Sequence, residues 1–129
     1  MKNKIVVITG ASSGIGWATA ESFSKHGAKL ILCGRRKEKL KELSLNLSTQ
    51  SHILTFDVRD RKAVFDAFET LPDEWKNVDI LINNAGNAHG LDPVQTATLD
   101  DWDAMIDGNV KGLMYVTKAL LPKMIKNQK

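Results

Sequence analysis

Three glycines near the start of the chain have the spacing of a phosphate-binding turn. Gly10, Gly14 and Gly16 lie in TGASSGIG, between a short apolar run and a helical pattern. Glycine permits a tight turn, lets a phosphate approach backbone that carries no Cβ, and lets a helix pack closely on a strand. The N–H groups and the dipole of the following helix then attract an anion. The spacing therefore favours a pyrophosphate site over an ordinary glycine-rich turn.

Side chains near these glycines could add hydrogen bonds and charge. Ser12 and Ser13 offer hydroxyl donors within the same turn, and Arg35 and Arg36 follow the second apolar run. Guanidinium groups match the geometry of phosphate oxygens. An acidic residue at this point would hydrogen-bond the ribose 2′-hydroxyl of NAD, whereas arginine accommodates the 2′-phosphate of NADP. The two arginines favour NADP, with a solvated basic loop as the alternative.

Asn109 is a polar residue at an apolar position. Steps of three or four residues from Met105 to Leu113 pass through it, so its amide lies on the apolar side of a predicted helix. A buried amide there needs hydrogen-bond partners. Gly108 and Gly112 flank it, and each weakens a helix interior by about 1 kcal/mol relative to alanine. We expect a local kink, and a satisfied core asparagine is the alternative to a functional one.

Alternating strands and helices must position these groups. Short apolar, β-branched runs predict buried strands at 4–9, 29–33, 52–57 and 78–83. Amphipathic patterns predict helices at 15–26, at 37–47, around 64–71 and from Thr98 onward, where Asp101 completes a sequence resembling a capping box. This alternation is typical of right-handed βαβ units and of a parallel sheet covered on both faces.

The helical patterns also predict which side chains face the sheet. In the first helix these are Ile15, Ala18 and Phe23; in the last they are Trp102, Met105, Ile106, Leu113, Val116 and Leu120. With the expected strand order 3-2-1-4, the later strands are missing and the fourth strand is an open apolar edge. We therefore expect the isolated chain to aggregate, to pair with another copy, or to be part of a longer polypeptide.

Two of the motifs together carry a family resemblance. TGASSGIG and NNAG (83–86), each after its expected strand, resemble the short-chain dehydrogenase/reductase family, and the likeness covers residues 4 to about 123. Within that family, NNAGNAHGLDP and DDWDAMIDGNVKGLMYVTKALLP are similar to the NADP-dependent 3-hydroxy acid dehydrogenases, which oxidise serine, L-allo-threonine and related acids. The resemblance implies a Rossmann-like doubly wound α/β fold and hydride transfer between NADP and a hydroxyl/carbonyl pair of a small-molecule substrate.

The resemblance also assigns roles to single residues. Asp57 would accept a hydrogen bond from the adenine amine beside Val58, Gly34 stands where NAD-type members carry aspartate, and Asn83 would tie neighbouring strands together. A turn-forming aspartate and a plain Asn-Asn-Ala-Gly turn are the alternatives. The implied cofactor-binding residues are Gly10, Ser12, Ser13, Gly14, Ile15, Gly16, Arg35, Arg36, Asp57, Val58, Asn83, Ala85 and Gly86.

Of the family's catalytic groups, the resemblance supplies only Asn109, whose main-chain carbonyl would hold a water of the proton relay. The family also needs a serine, and a tyrosine with a lysine four residues later. The one tyrosine, Tyr115, has Ala119 at that spacing, so Tyr115 and Lys118 are predicted to be packing and surface groups. The other catalytic groups are expected after Lys129. The alternatives are a catalytically silent nucleotide-binding fragment and an α/β interaction domain that binds no cofactor.

Length and composition set the remaining bounds. The 129 residues are 43% hydrophobic and 26% charged, which is typical of globular proteins. We expect residues 1–129 to form the NADP-binding N-terminal portion of a single Rossmann-type domain. A net charge of +3 from scattered basic residues disfavours a nucleic-acid surface. No apolar run reaches the roughly 18 residues of a membrane span.

The cysteine and the histidines complete the chemical survey. The single cysteine, Cys33, cannot form an internal disulfide and indicates a reducing cytoplasm. His26, His52 and His89 have no metal-ligand spacing with the carboxylates, so no metal site is predicted. The family resemblance implies a homo-oligomer, a dimer or a tetramer, of the full-length protein, with the last helix contributing an interface.

Overall fold

The fold is a four-stranded parallel sheet with helices on both faces. The computed structural model describes residues 1–12, 14–85 and 98–127. Its strands are β1 (Ile5–Ile8), β2 (Lys29–Gly34), β3 (Ser51–Thr55) and β4 (Ile80–Ile82). Its helices are α1 (Gly14–Lys25), α2 (Lys37–Leu45), α3 (Arg61–Glu69), α4 (Leu99–Ile106) and α5 (Gly112–Asn127). A 3-10 turn (Asp73–Trp75) precedes β4, and a π-helical segment (Asp107–Lys111) joins α4 to α5.

The strand order is β3-β2-β1-β4, and every neighbouring pair is parallel. β1 lies between β2 and β4, with Val7 paired to Ile31 on one side and to Leu81 on the other. All four residues of β1 are buried, as expected of a central strand in a sheet covered on both faces. The predicted order and the α/β class are confirmed.

The side chains of the inner strands alternate between two apolar cores. Val7 and Ile31 lie in the core that α3 and α5 cover. Val6 and Leu30 lie in the core that α1 and α2 cover. Because burial of one such side chain contributes about 1.5–3 kcal/mol, each face needs its own layer of helices. The structure therefore has the doubly wound arrangement that the sequence predicts.

α1 packs on the sheet through small residues, so the predicted apolar face of this helix is largely wrong. Ile15 is 77% exposed, and Ala18 is also exposed, whereas Phe23 packs partly against the core. The buried positions are Gly16, Ala20 and Ser24. Small side chains every fourth residue let the helix approach the backbone of the sheet closely. Close approach, rather than large apolar side chains, selects the inward face here.

The π-helical segment splits the apolar stripe predicted for the last helix. Val116 and Leu120 are buried as predicted, but Trp102, Ile106 and Leu113 are between 39% and 50% exposed. A π-helical turn closes its hydrogen bonds at i→i+5, so it shifts the phase of the helix that follows it. The prediction assumed one uniform helical period from Thr98 to the end of the helix. It therefore placed residues of α4 and α5 on one side although the π-helical segment rotates α5 relative to α4.

The start of this stretch is capped as the sequence predicts. The Thr98 hydroxyl oxygen accepts a hydrogen bond from the backbone N–H of Asp101 at 3.1 Å. Such a cap satisfies one of the N–H groups that the first turn leaves without a partner in the helix. In the described part of the chain, no helix combines the length and the apolar character that crossing a membrane would require.

A buried serine joins the end of α1 to the turn before β3. Ser24 is 3% exposed, and its hydroxyl oxygen accepts from the backbone N–H groups of Ser48 at 3.0 Å and Thr49 at 3.2 Å. The side-chain hydroxyl of Thr49 lies 2.9 Å from the same oxygen. Ser24 therefore fixes the entry of β3 into the sheet.

We expect Ser24→Ala to lower the free energy of unfolding by about 1–3 kcal/mol, because two backbone N–H groups lose their acceptor. Urea denaturation monitored by circular dichroism measures the change. Ser22→Ala, at an exposed position of the same helix, is the matched control and should change stability by less than about 0.5 kcal/mol. Equal effects of the two substitutions would contradict the role given to Ser24.

Candidate functional site

The glycine-rich turn leaves the carboxyl end of β1 with a backbone that only glycine adopts easily. Gly10 has φ +63° and Gly14 has φ +60°. A Cβ on Gly10 would lie 2.8 Å from the Cα of Ala85, and a Cβ on Gly16 would clash with the carbonyl oxygen of Gly10. Among the described residues, apart from its chain neighbours and its own helical turn, a Cβ on Gly14 would meet no atom within 4 Å.

The three glycines therefore have different roles. Gly10 makes the tight turn against the end of β4, and Gly16 brings α1 close to β1, so the packing of the chain itself requires both. Gly14 is different, because the space beside it is open. A strand-to-helix turn that brings a backbone near a pyrophosphate has this division of roles among its glycines. The open side of Gly14 is thus the place where this turn can receive a ligand.

Thr9 holds this turn to the end of β4, a role that the sequence analysis did not assign. Its side chain is buried at 1% exposure, and its hydroxyl oxygen accepts from the backbone N–H groups of Asn84 and Ala85, both at 2.9 Å. The Asn84 side-chain amide donates to the carbonyl oxygen of Gly10 at 3.2 Å. A hydroxyl at the end of an otherwise apolar strand was the signal that could have identified Thr9.

Asn83 was expected to tie neighbouring strands together, but among the described residues Thr9 and Asn84 make those bonds. The Asn83 side-chain amide donates to the hydroxyl oxygen of Thr117 in α5 at 3.1 Å, so it joins β4 to a helix. The bonds that join the ends of β1 and β4 come from Thr9 and Asn84, because Asn83 is directed toward the α5 face of the sheet. Ala85 is half-buried beside Gly10. The predicted site residues Ser13 and Gly86, like His89, lie outside the described residues.

The arginines that follow β2 lie next to the glycine turn. Ala11 donates its backbone N–H to the carbonyl oxygen of Cys33 at 3.0 Å. A Cβ on Gly34 would lie 3.5 Å from the Ser12 hydroxyl oxygen. Arg35 and Arg36 are exposed. The structure therefore brings the predicted pyrophosphate turn and the predicted 2′-phosphate residues to one edge of the sheet.

Asp57, which follows β3, is engaged by an arginine that the sequence analysis did not consider. The Arg59 Nη2 donates to one carboxylate oxygen of Asp57 at 2.7 Å, and the Arg59 Nε lies 3.1 Å from both oxygens. The backbone N–H of Arg59 donates to the same carboxylate at 2.9 Å. These hydrogen bonds hold the pKa of Asp57 below its ordinary value. The carboxylate that was expected to accept a hydrogen bond from adenine is thus already bonded to a guanidinium.

The loop after β3 packs against Gly112, the first residue of α5, which directly follows the π-helical segment that carries Asn109. A Cβ on Gly112 would lie 2.6 Å from the Val58 Cγ2, so Gly112 allows this contact. Asn109 is half-buried in the π-helical segment between α4 and α5. The expected departure from regular helix is therefore present, and π-helical turns are frequent at functional sites. Val58 thus contacts the chain three residues beyond Asn109.

Tyr115 and Lys118 behave as predicted. Tyr115 packs against the core under α5, and the Arg61 guanidinium lies 5.5 Å from its ring centroid. Lys118 is exposed. Within the ranges that the structure describes, no group of three or more metal-ligating side chains comes together.

A cavity of about 320 Å³ lies at the opposite end of the sheet. Its lining residues are Ser44, Thr49, Gln50, Ser51, Glu74 and Trp75. Ser51 is the first residue of β3, so this cavity adjoins the amino ends of the strands. Ligands of open α/β sheets bind beyond the carboxyl ends, where the glycine turn lies. The carboxyl edge is therefore the candidate site.

Comparison with known proteins gives this arrangement a family context. The family model for short chain dehydrogenases matches residues 4–129. The NADP-dependent 3-hydroxy acid dehydrogenase YdfG of Escherichia coli K12 is 46% identical over 122 residues, which are 95% of this chain and 49% of that protein. The chain thus spans about half the length of the curated relatives that it matches.

Two solved structures show that this fold accommodates either nicotinamide cofactor. The closed form of serine dehydrogenase complexed with NADP⁺ has 46% identity and a TM-score of 0.90, over 95% of this chain and 49% of that one. NAD⁺-bound xylitol dehydrogenase has 28% identity and a TM-score of 0.91, over 97% of this chain and 49% of that one. The fold alone therefore does not distinguish NADP from NAD, and this distinction depends on the residues after β2.

We expect Thr9→Val to destabilise the chain by about 1–3 kcal/mol, because the N–H groups of Asn84 and Ala85 lose a buried acceptor. Thr9→Ser keeps the hydroxyl and should lose clearly less stability. Thermal unfolding of the three proteins measures the difference, and amide hydrogen exchange at residues 84 and 85 locates it. Equal destabilisation by valine and serine would show that the methyl group of Thr9, and not its hydroxyl, matters.

Proposed function

This chain belongs to the short chain dehydrogenase family, and on that basis we propose that residues 1–129 form the NADP-binding portion of a Rossmann-type oxidoreductase domain. The proposed reaction transfers a hydride between NADP(H) and a hydroxyl/carbonyl pair of a small molecule. A 3-hydroxy acid such as serine is the proposed substrate, because the 46%-identical relatives carry that name. The observation that carries the proposal is the meeting of the open glycine turn and the arginines at one edge of the sheet.

The residues at this edge fit a dinucleotide. The side of Gly14 is open, and Ile15 in the first turn of α1 is 77% exposed, so the helix N-terminus is accessible to a pyrophosphate. Arg36 precedes α2 and makes no capping hydrogen bond with its side chain. We assign the pyrophosphate to the turn Gly10–Gly16, the 2′-phosphate to Arg35 and Arg36, and the adenine to Asp57 and Val58. Ser12, Asn83 and Ala85 complete the proposed binding residues, with Ser13 and Gly86 as sequence-based additions.

NADP supplies the hydride acceptor or donor when it is bound. For the chain itself we propose one catalytic residue, Asn109, which would orient a water for proton transfer through its main-chain carbonyl. The π-helical setting of Asn109 supports this proposal. The tyrosine–lysine pair that general acid–base chemistry requires in this family is not among these 129 residues, since Tyr115 has Ala119 four positions later. These residues alone are therefore proposed to bind NADP without turnover.

We also propose that the full-length protein is a cytoplasmic homo-oligomer. Cys33 is a buried free thiol, and burial raises its pKa strongly, so the thiol is unreactive. A free cysteine is compatible with the proposed reducing compartment. Large apolar side chains along α4, the π-helical segment and α5 support an interface because they remain exposed. They are Leu99, Trp102, Ile106, Val110, Leu113, Met114, Leu121 and Ile125.

The cofactor proposal is tested by titrating the protein with NADP and with NAD. NADP should bind at least about tenfold more tightly, because hydrogen bonds from a cation to a phosphate contribute about 1.5–3 kcal/mol each. Isothermal titration calorimetry gives both affinities, and absorbance of the reduced nicotinamide after addition of serine tests turnover. Binding of neither cofactor would favour the alternative of an α/β interaction domain, and turnover by these residues alone would contradict the inactive assignment.

The interface proposal is tested by charging the exposed apolar side of α5. Met114→Lys with Ile125→Lys should shift the protein from assemblies to monomers in sedimentation velocity, because a lysine in an apolar interface is costly to desolvate. Both residues are about 60% exposed, so the melting temperature should change little. Lys118→Gln, at an exposed position of the same helix, is the control. A wild-type protein that sediments as a monomer at every concentration would refute this proposal.

A further inference from the structure

We propose that Arg59 determines the preference for a 2′-phosphate, by neutralising Asp57 at the edge where Arg35 meets that phosphate. The inference rests on the proposed NADP site. It adds a specificity-determining residue that acts through its neighbours' charges rather than by contact with the phosphate.

Asp57 and Arg35 leave adjacent parallel strands at the same edge. Gly34 ends β2, and its carbonyl oxygen accepts the backbone N–H of Phe56 at 2.9 Å. Arg35 directly follows Gly34, and Asp57 directly follows Phe56. The charge of Arg35 acts on the carboxylate of Asp57. A carboxylate in this place has two unfavourable effects on a dianionic phosphate: it repels the phosphate, and it attracts the arginine that should bind it.

Arg59 opposes both effects. Its Nη2 donates to one carboxylate oxygen at 2.7 Å and its Nε to the other at 3.1 Å, which forms a fork, and its backbone N–H adds a third donor at 2.9 Å. A fork of this kind is the strongest common pairing between these groups and holds the guanidinium in one orientation. Asp57 is thereby neutralised by a residue of its own loop, and Arg35 experiences a smaller opposing charge.

The other charges that face Arg59 do not cancel this arrangement. Asp107 in the π-helical segment also acts on Arg59, but it pairs with Lys111, whose Nζ lies 3.4 Å from a carboxylate oxygen of Asp107. Asp57 is therefore the main partner of Arg59. Loss of the Arg59 charge would remove the main partner of the Asp57 carboxylate and leave Arg35 as the remaining cation that acts on it.

The experiment compares two ligand fragments that differ only in the phosphate, 2′,5′-ADP and 5′-AMP. For Arg59→Gln we expect the Kd of 2′,5′-ADP to rise about tenfold. That factor corresponds to about 1.4 kcal/mol, which lies between the Coulomb energies of two unit charges about 4 Å apart in water and at a protein surface. The Kd of 5′-AMP should change less than about twofold, because its one phosphate is assigned to the glycine turn, farther from Asp57 than the 2′-phosphate, and Coulomb energy falls with distance. The ratio of the two Kd values is the readout, and it requires no turnover.

Two further variants separate charge from structure. Asp57→Asn with Arg59→Gln removes both charges. Both fragments carry the adenine assigned to Asp57, so a weaker adenine contact cancels in the ratio, which should return to within about threefold of the wild type because the local net charge is restored. Arg59→Lys keeps the charge without the fork and should also keep the ratio within about threefold. The effect of Arg59→Gln should shrink at high salt, because exposed charges are screened.

The outcomes distinguish the inference from the proposed function. Weak binding of both fragments by Arg59→Gln, an unchanged ratio, or no recovery in the double variant would overturn the role of Arg59 while leaving the NADP site intact. If the wild type does not prefer 2′,5′-ADP over 5′-AMP, the proposed 2′-phosphate site fails, and the inference fails with it.

Discussion

The hydroxyl of Thr9 is the contact on which the geometry of the candidate site depends. It lies at the end of the central strand and accepts two backbone N–H groups from the chain that leaves β4. This pairing places Ala85 against Gly10, at a distance that leaves no room for a Cβ. Gly16 then brings α1 down onto the Gly10 carbonyl. One buried hydroxyl thus fixes the turn and the end of β4 together. The absence of a Cβ at Gly10 and Gly16 lets these segments and the N-terminus of α1 pack this closely.

The parallel sheet supplies the rest of the site. Because parallel strands all end at the same edge, the residues after β1, β2, β3 and β4 converge although they are far apart in sequence. This edge gathers an open glycine turn, exposed arginines and a paired aspartate. The loop after β3 also touches the start of α5, just beyond the segment that carries Asn109, through the contact of Val58 with Gly112. A ligand along this edge would therefore meet segments that already support one another.

The sequence predicts the sheet well because buried parallel strands give continuous apolar runs, and these runs are local signals. The sequence-based predictions are wrong where tertiary contacts determine which side of a helix is buried. Ile15 and Ala18 were placed inward by periodicity, yet close packing at Gly16 and Ala20 turns them outward. The stripe through Trp102 and Leu113 was broken by a π-helical turn that no uniform period contains. Arg59 and Thr9 were missed because their roles depend on partners that are close only in the folded chain.

We place the nucleotide site at the carboxyl edge of the sheet, around the glycine turn. Backbone amide NMR of the protein during titration with NADP tests this placement most directly. We expect large, saturable chemical-shift changes for the amides of Gly14, Ile15, Gly16, Arg35 and Val58. The changes at Ser51 and Trp75, at the opposite end of the sheet, should be small. Shifts concentrated at Ser51 and Trp75, or none at the glycine turn in the presence of bound NADP, would contradict it.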